Sequence, residues 1–340
     1  MIAVGIRLFG DNSLDWRFSL AIAGTVAVAL IFFIAKKLFS SDYLALIAAL
    51  LSTLDGLHLA MSRVALLDIF STTLLLAGAL SLLYKRHLLS VIFLGLALST
   101  KWNALFLIVV FLIYVFVKER RAILNNLLVI PSMYIASWIG WFNSDLGYDR
   151  NASTNPLLSL IKYHQKIIDF HSALDIAHPY EASPWSWFYL GLPTSFFYES
   201  PNCGTGECSR EVLALGTPLI WWFGIIALLL TINYVIIRRD WEVGFIIAGF
   251  AANYLPWFLI PDRTTFYFYA NALQPFLILS ICYTIYVFLK TESGQKYGEL
   301  TVQSGLALTT LVFIYFLPVY LGTTLSYDAW SARMCFASWI

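Results

Sequence analysis

Repeated runs of about 20 mostly apolar residues limit what this chain can become. They cover 18 to 35, 43 to 60, 64 to 84, 122 to 141, 212 to 237, 242 to 260, 264 to 289 and 305 to 325. At about 1.5 Å of rise per residue, each can cross roughly 30 Å of hydrocarbon as a helix. A chain that is 60% hydrophobic and 12% charged, with mean hydropathy +0.76, has lipid as its natural solvent. The reading is an all-α polytopic membrane protein. A net charge of +1, with lysines and arginines in short loop clusters, leaves no basic face for nucleic acid. The opening MIAVGIRLFGDNSLDWR carries acids and a tight turn rather than a basic start, so no cleaved leader is expected.

One further apolar block, 88 to 117, has Lys101 at its middle and reads as one overlong helix or as a hairpin. Short cytoplasmic loops are enriched in Lys and Arg, and this decides the matter. As a hairpin, the block puts Lys36, Lys37, Lys85, Arg86, Lys118, Arg120, Arg121, Arg238, Arg239, Lys290 and Lys296 on one side. Only Arg63, Lys101 and Arg263 remain in the short turns opposite. The hairpin gives ten segments in three regions: an N-terminal bundle over 1–141, an extracytoplasmic loop over 142–211 and a C-terminal bundle over 212–340. Both chain ends then lie outside, and at least one helix is expected before residue 1.

Five charges fall at the outer rim of these segments: Asp55, Arg63, Asp68, Lys101 and Arg263. Each costs about 2.5 to 3.5 kcal/mol near the bilayer, so their common side marks a candidate site. The fork of Arg63 suits a phosphate, with Asp55, His58 and Asp68 in support, or else Arg63 pairs with Asp68 and pins the turn. Lys101 is a point-charge phosphate contact or an interfacial anchor beside Trp102. An aromatic belt accounts for Phe266, Tyr267, Phe268 and Tyr269, but not for Arg263, which is the third phosphate candidate.

In the external loop, CGTGEC sets Cys203 and Cys208 around two glycines, and a disulfide is expected outside the cytoplasm. No further ligands accompany them, so no metal site is assigned. The stretch holding His164, His171 and His178 reads as an amphipathic helix along the membrane surface rather than as a metal site. Asn151 opens a glycosylation sequon.

DGLHLAMSRVALLDIF, GLALSTKWNALF, HPYEASPWSWFYLGLPTSFFYE, CSREVLALGTPLIWW, PDRTTFYFYANALQPF and the closing WSARMCFASWI occur in this order along nearly the whole chain. Together they resemble the dolichyl-phosphate-mannose–protein mannosyltransferase family in its bacterial form. The resemblance implies a multi-helix bundle of the glycosyltransferase C superfamily in the plasma membrane, with its site on the extracytoplasmic face. It implies mannose transfer from a polyprenyl phosphate donor to Ser and Thr hydroxyls of exported proteins. Arg63 matches an arginine of the family's S-R-x-x-L-L-D pattern. The roles of Lys101 and Arg263 at the donor phosphate come from topology alone.

The family's catalytic acidic pair belongs to a loop preceding the stretch that resembles residues 1 to 38. Asp11 and Asp15 do not match it, so the catalytic residues are unassigned. The alternative is a non-catalytic membrane protein that keeps the lipid-phosphate groove, or a truncated inactive form. A transporter is disfavoured, because the charges gather at one face and no inverted repeat is visible. No cofactor is named, and the need for a divalent metal is open. The expected partners are the lipid donor, exported protein acceptors and membrane lipids.

Overall fold

The computed structural model describes residues 2–10, 12–118, 127–174, 176–204, 206–240, 243–261 and 263–340. Asp11, Arg120, Arg121, Asp262 and residues 122–126 of the expected fourth segment lie outside the described residues. The first bundle comprises α1 (Ile2–Phe9), α2 (Ser13–Phe39), α3 (Asp42–Thr53), α4 (Gly56–Met61), α5 (Asp68–Leu83), α6 (His87–Thr100), α7 (Ala104–Lys118), α8 (Val129–Ser137) and α9 (Ile139–Phe142). The region between the two bundles contributes α10 (Pro156–Ser172) and strands β1 (Thr194–Glu199) and β2 (Cys208–Ala214). The second bundle is α11 (Pro218–Arg238), α12 (Gly244–Tyr254), α13 (Gln274–Leu289) and α14 (Glu292–Leu321), followed by β3 (Leu325–Ser326) and α15 (Tyr327–Ser331).

Among the described residues, three helices are long and apolar enough to cross a membrane: Asp15–Phe39, Pro218–Arg238 and Glu292–Leu321. Six apolar helices are shorter, including the two halves of the 88–117 block. Those halves meet at Lys101–Asn103, as the hairpin reading requires. Outward apolar side chains such as Leu229, 62% exposed, and Ile236, 71% exposed, suit lipid rather than water.

Several expected segments are cut differently by local chemistry. The 43–60 run is broken at Leu54–Asp55, because Asp55 caps α4 by accepting from the His58 amide at 3.2 Å. Residues 264–272 are extended chain and a 3₁₀ turn, so the TTFYFY aromatics precede α13 rather than form part of it. The last helix starts early, at Glu292, where Thr291 caps it through the Gly294 amide at 3.0 Å. The boundary at 211/212 falls inside β2, so the region between the bundles runs on to Ala214.

The one architectural addition is a small antiparallel sheet in the order β1-β2-β3. Its pairs Phe197 with Val212, Tyr198 with Glu211 and Glu199 with Arg210 fix which side chains share a face. Cys203 and Cys208 are joined by a disulfide across the β1–β2 connection. On one face Tyr198 and Glu211 meet Trp330 of α15, whose indole donates to Glu211 at 2.6 Å. Burial pushes the Glu211 carboxyl up, against its hydrogen bonds from Ser195 and Trp330. The opposite face, carrying Phe197, Arg210 and Val212, roofs a pocket.

Candidate functional site

Arg63 sits in the α4–α5 turn, and α4 can lie against the end of α14 because residue 56 is glycine. A Cβ there would stand 2.1 Å from the Tyr320 ring. The guanidinium of Arg63 donates to the Tyr320 carbonyl at 3.0 Å and to that of Leu321 at 3.3 Å. These are C-terminal carbonyls of α14, which a cation satisfies well. The helix stops at Gly322, whose φ of +74° is left-handed and whose carbonyl accepts from Arg210 Nε at 2.8 Å.

Arg63 and Arg210 therefore converge on one helix end and line a cavity of about 540 Å³ together with Arg17, Trp16, Phe196 and Phe197. Arg17 lies over the Trp16 ring at 4.7 Å, and Arg210 lies 5.6 Å from the Phe197 ring centre. Burial, and then the like charge of Arg17, lower the pKa of Arg63. Guanidinium nevertheless keeps its proton in proteins, so the pocket holds positive charge. Among the described residues, the carboxylate in ion-pair range of the pocket is Glu199, 4.0 Å from Arg210 and half exposed. Three planar donor groups with aromatic faces beside them suit a phosphate carrying an organic substituent.

The other cations expected at this site lie elsewhere. Lys101 pairs with Asp68 at 2.6 Å and stands 4.3 Å from the Tyr269 ring centre. The expected alternative of an Arg63–Asp68 ion pair is thus replaced by Lys101–Asp68, because Lys101 ends α6 beside the first turn of α5. Arg263 lies toward α10, where burial, and then the charge of Arg263, lower the pKa of His171. That position follows from the backbone: Thr264 and Thr265 are zipped onto residues 174–182 by hydrogen bonds of 2.8 to 3.3 Å. Neither Lys101 nor Arg263 lines the arginine pocket.

Asp55 and His58 act on packing. Asp55 is fully buried, and its Oδ1 accepts from the Thr217 amide at 2.9 Å and from Trp221 Nε1 at 3.1 Å. It ties α4 to the start of α11. His58 Nε2 donates to the Gly24 carbonyl at 3.2 Å, joining α4 to α2. In the external region, His164 meets the Tyr134 hydroxyl at 2.6 Å, and that hydroxyl also accepts from Trp102 Nε1 at 2.9 Å. The helix ends at Ser172, so His178 lies beyond it and the three histidines do not form one face.

Arg17 and Arg210 are the pocket residues that sequence reasoning passed over. Arg17 sits within the first turns of a membrane helix and reads as a rim anchor. Arg210 has an outward register in a strand that was itself read as loop. CSREVLA gave no signal of its own, since three polar residues at 209–211 are followed by three apolar ones at 212–214 and no period of two appears.

Comparison with known proteins adds to this geometry. A family model described as dolichyl-phosphate-mannose-protein mannosyltransferase matches residues 4–144. A second, the C-terminal four-transmembrane region of protein-O-mannosyltransferase, matches residues 157–339. The polyprenol-phosphate-mannose–protein mannosyltransferase of Mycolicibacterium smegmatis is 29% identical, over 100% of this chain and 80% of that one. In structure, the chain is similar to the Saccharomyces cerevisiae protein O-mannosyltransferase Pmt1-Pmt2 complex bound to the sugar donor. The TM-score is 0.80 at 15% identity, over 95% of this chain and 80% of that one. ArnT from Cupriavidus metallidurans matches with a TM-score of 0.55 at 12% identity, over 95% and 64%. These two likenesses speak for the fold alone, a helical bundle.

Proposed function

The chain belongs to the dolichyl-phosphate-mannose–protein mannosyltransferase family, and from that premise we propose that it moves mannose from a polyprenyl-phosphate-mannose donor to Ser and Thr hydroxyls of exported proteins. On this reading the reaction runs at the extracytoplasmic face of the plasma membrane. The acceptor oxygen attacks the anomeric carbon and loses its proton to a general base, while the bond from that carbon to the phosphate oxygen breaks. The polyprenyl phosphate leaves with an added negative charge.

One observation carries the proposal: Arg17, Arg63 and Arg210 line a single pocket between the N-terminal end of α2 and the C-terminal end of α14. Fixed guanidinium groups there meet the charge that develops on the leaving phosphate, and the half-buried setting of Arg63 strengthens the effect. Two N–H groups of Arg63 are held by α14 carbonyls, so its remaining donors are aimed without loss of side-chain freedom on binding. Asp55 and His58 contribute by fixing the α4 framework from which Arg63 projects.

A second reading, a membrane protein that binds the lipid-linked sugar without transferring it, is favoured by the chemistry lining the pocket, which is cationic and aromatic. The test for both is incubation of the purified protein with labelled polyprenyl-phosphate-mannose and a Ser/Thr-rich peptide, analysed by mass spectrometry. The proposal expects an alkali-labile hexosyl peptide. Donor binding with no peptide product would leave the second reading.

A further inference from the structure

The pocket's roof has an open side. In the order β1-β2-β3, strand β2 is paired along both edges and β1 along only one. Among the described residues, the backbone of 194–199 makes no backbone–backbone hydrogen bond outside its ladder with β2, and the Phe197 carbonyl accepts only locally, from Ser195 Oγ at 3.3 Å. Unpaired strand edges recruit other chains, and proteins usually cover or charge them. The exposed half of β1 is Phe197, Tyr198 and Glu199, and Phe197 faces the arginine pocket.

We infer that this edge of β1 receives the acceptor: an extended, Ser- or Thr-bearing segment of an exported protein adds as a further strand beside β1. The inference rests on reading the arginine pocket as the seat of the donor phosphate. A strand added to β1 runs about 4.7 to 4.9 Å from it, and its alternate side chains fall on the same face as Phe197 and Val212. Every second residue of the acceptor is then directed toward the pocket, where a sugar attached to the phosphate would lie. The intervening residues project toward the Tyr198 and Trp330 side.

Main-chain pairing also suits the substrate class. Strand addition draws affinity from backbone groups and leaves selectivity to the few side chains that meet a pocket. An enzyme whose acceptors share a hydroxyl rather than a long motif needs that division. The bulge between Ser195 and Phe197 leaves Phe196 and Phe197 both lining the pocket, so the edge bends where the donor and acceptor would meet. The Cys203–Cys208 bridge closes the far end of the hairpin and holds β1 to β2 as the template.

The test uses the detergent-solubilised protein and fluorescent Ser/Thr-rich peptides carrying N-methyl groups at alternate backbone positions. Methylation removes an N–H donor and blocks one strand edge without altering a side chain. The inference predicts that methylating one parity weakens binding about tenfold per disrupted pair, and that the other parity binds within about twofold of the parent. Equal losses for both parities, or none for either, would overturn it. So would a parent peptide that fails to bind while the protein dimerises in sedimentation, since the edge would then belong to a second copy. Titration of polyprenyl-phosphate-mannose in parallel keeps the two readings apart: normal donor binding without a parity effect removes the acceptor strand alone.

Discussion

Asp55 and Arg63 are eight residues apart in a stretch that reads as one charged cluster, yet they do different work. Asp55 accepts from His58, Thr217 and Trp221 inside the protein, whereas Arg63 keeps a face on the pocket. Asp55→Ala should therefore leave buried donors unpaired and cost about 3 kcal/mol of stability, read as a lower melting temperature in detergent. Donor affinity of the fraction that stays folded should fall less than in Arg63→Ala, because Asp55 reaches the pocket only through the α4 framework. A variant as stable as the parent would mean that Thr217 and Trp221 find other acceptors. Nothing in the sequence separates the two roles, because a buried cap and a functional carboxylate have the same letter. Only the distant partners, Thr217 and Trp221, tell them apart.

At the scale of elements, the long apolar helices were legible because hydrophobic runs and basic clusters are local signals. The hairpin at Lys101 was legible for the same reason. The sheet was not, since the expected boundary at 211/212 cuts β2: residues 208–211 were read as loop and 212–214 as the start of the apolar run of α11. β3 is two residues long and gains its identity only from pairing with Cys208 and Ser209. Glu211 gives this sheet a pH signature. Its pKa is raised above the ordinary 4.5, so the unfolded chain loses that proton first. Stability contributed by the protonated carboxyl is full below about pH 4.5 and is lost as pH rises through the folded value. Glu211→Gln should flatten the fall in melting temperature between acid and neutral pH while keeping an acceptor for Trp330. An unchanged slope in that variant would assign the dependence to another group.

For the whole molecule, the sequence resemblance and the apolar runs named the right class of bundle, but an expected sidedness alone could not say which of the rim cations meet. The five charges expected on one side of a membrane fall into four separate arrangements: the Asp55 cap, the Lys101–Asp68 ion pair, the Arg63 pocket and Arg263 beside α10. The reason is geometric, since sidedness fixes one coordinate and convergence requires the other two. Helix contacts supply them, above all the approach of α4 to the end of α14 at Gly56.

Whether Arg17, Arg63 and Arg210 hold the donor phosphate is decided by titrating polyprenyl-phosphate-mannose onto the purified protein and its variants. Removing one charge-assisted contact should cost roughly 1.5 to 3 kcal/mol, so Arg63→Ala should weaken donor binding about ten- to a hundredfold. Arg63→Lys should recover only part of this, because an ammonium lacks the planar fork. Arg17→Ala and Arg210→Ala should each weaken binding in the same direction, while Lys101→Ala lowers stability by uncovering Asp68 and leaves donor affinity within about twofold. Donor affinity that survives all three arginine substitutions, or that falls with Lys101→Ala instead, would contradict the account.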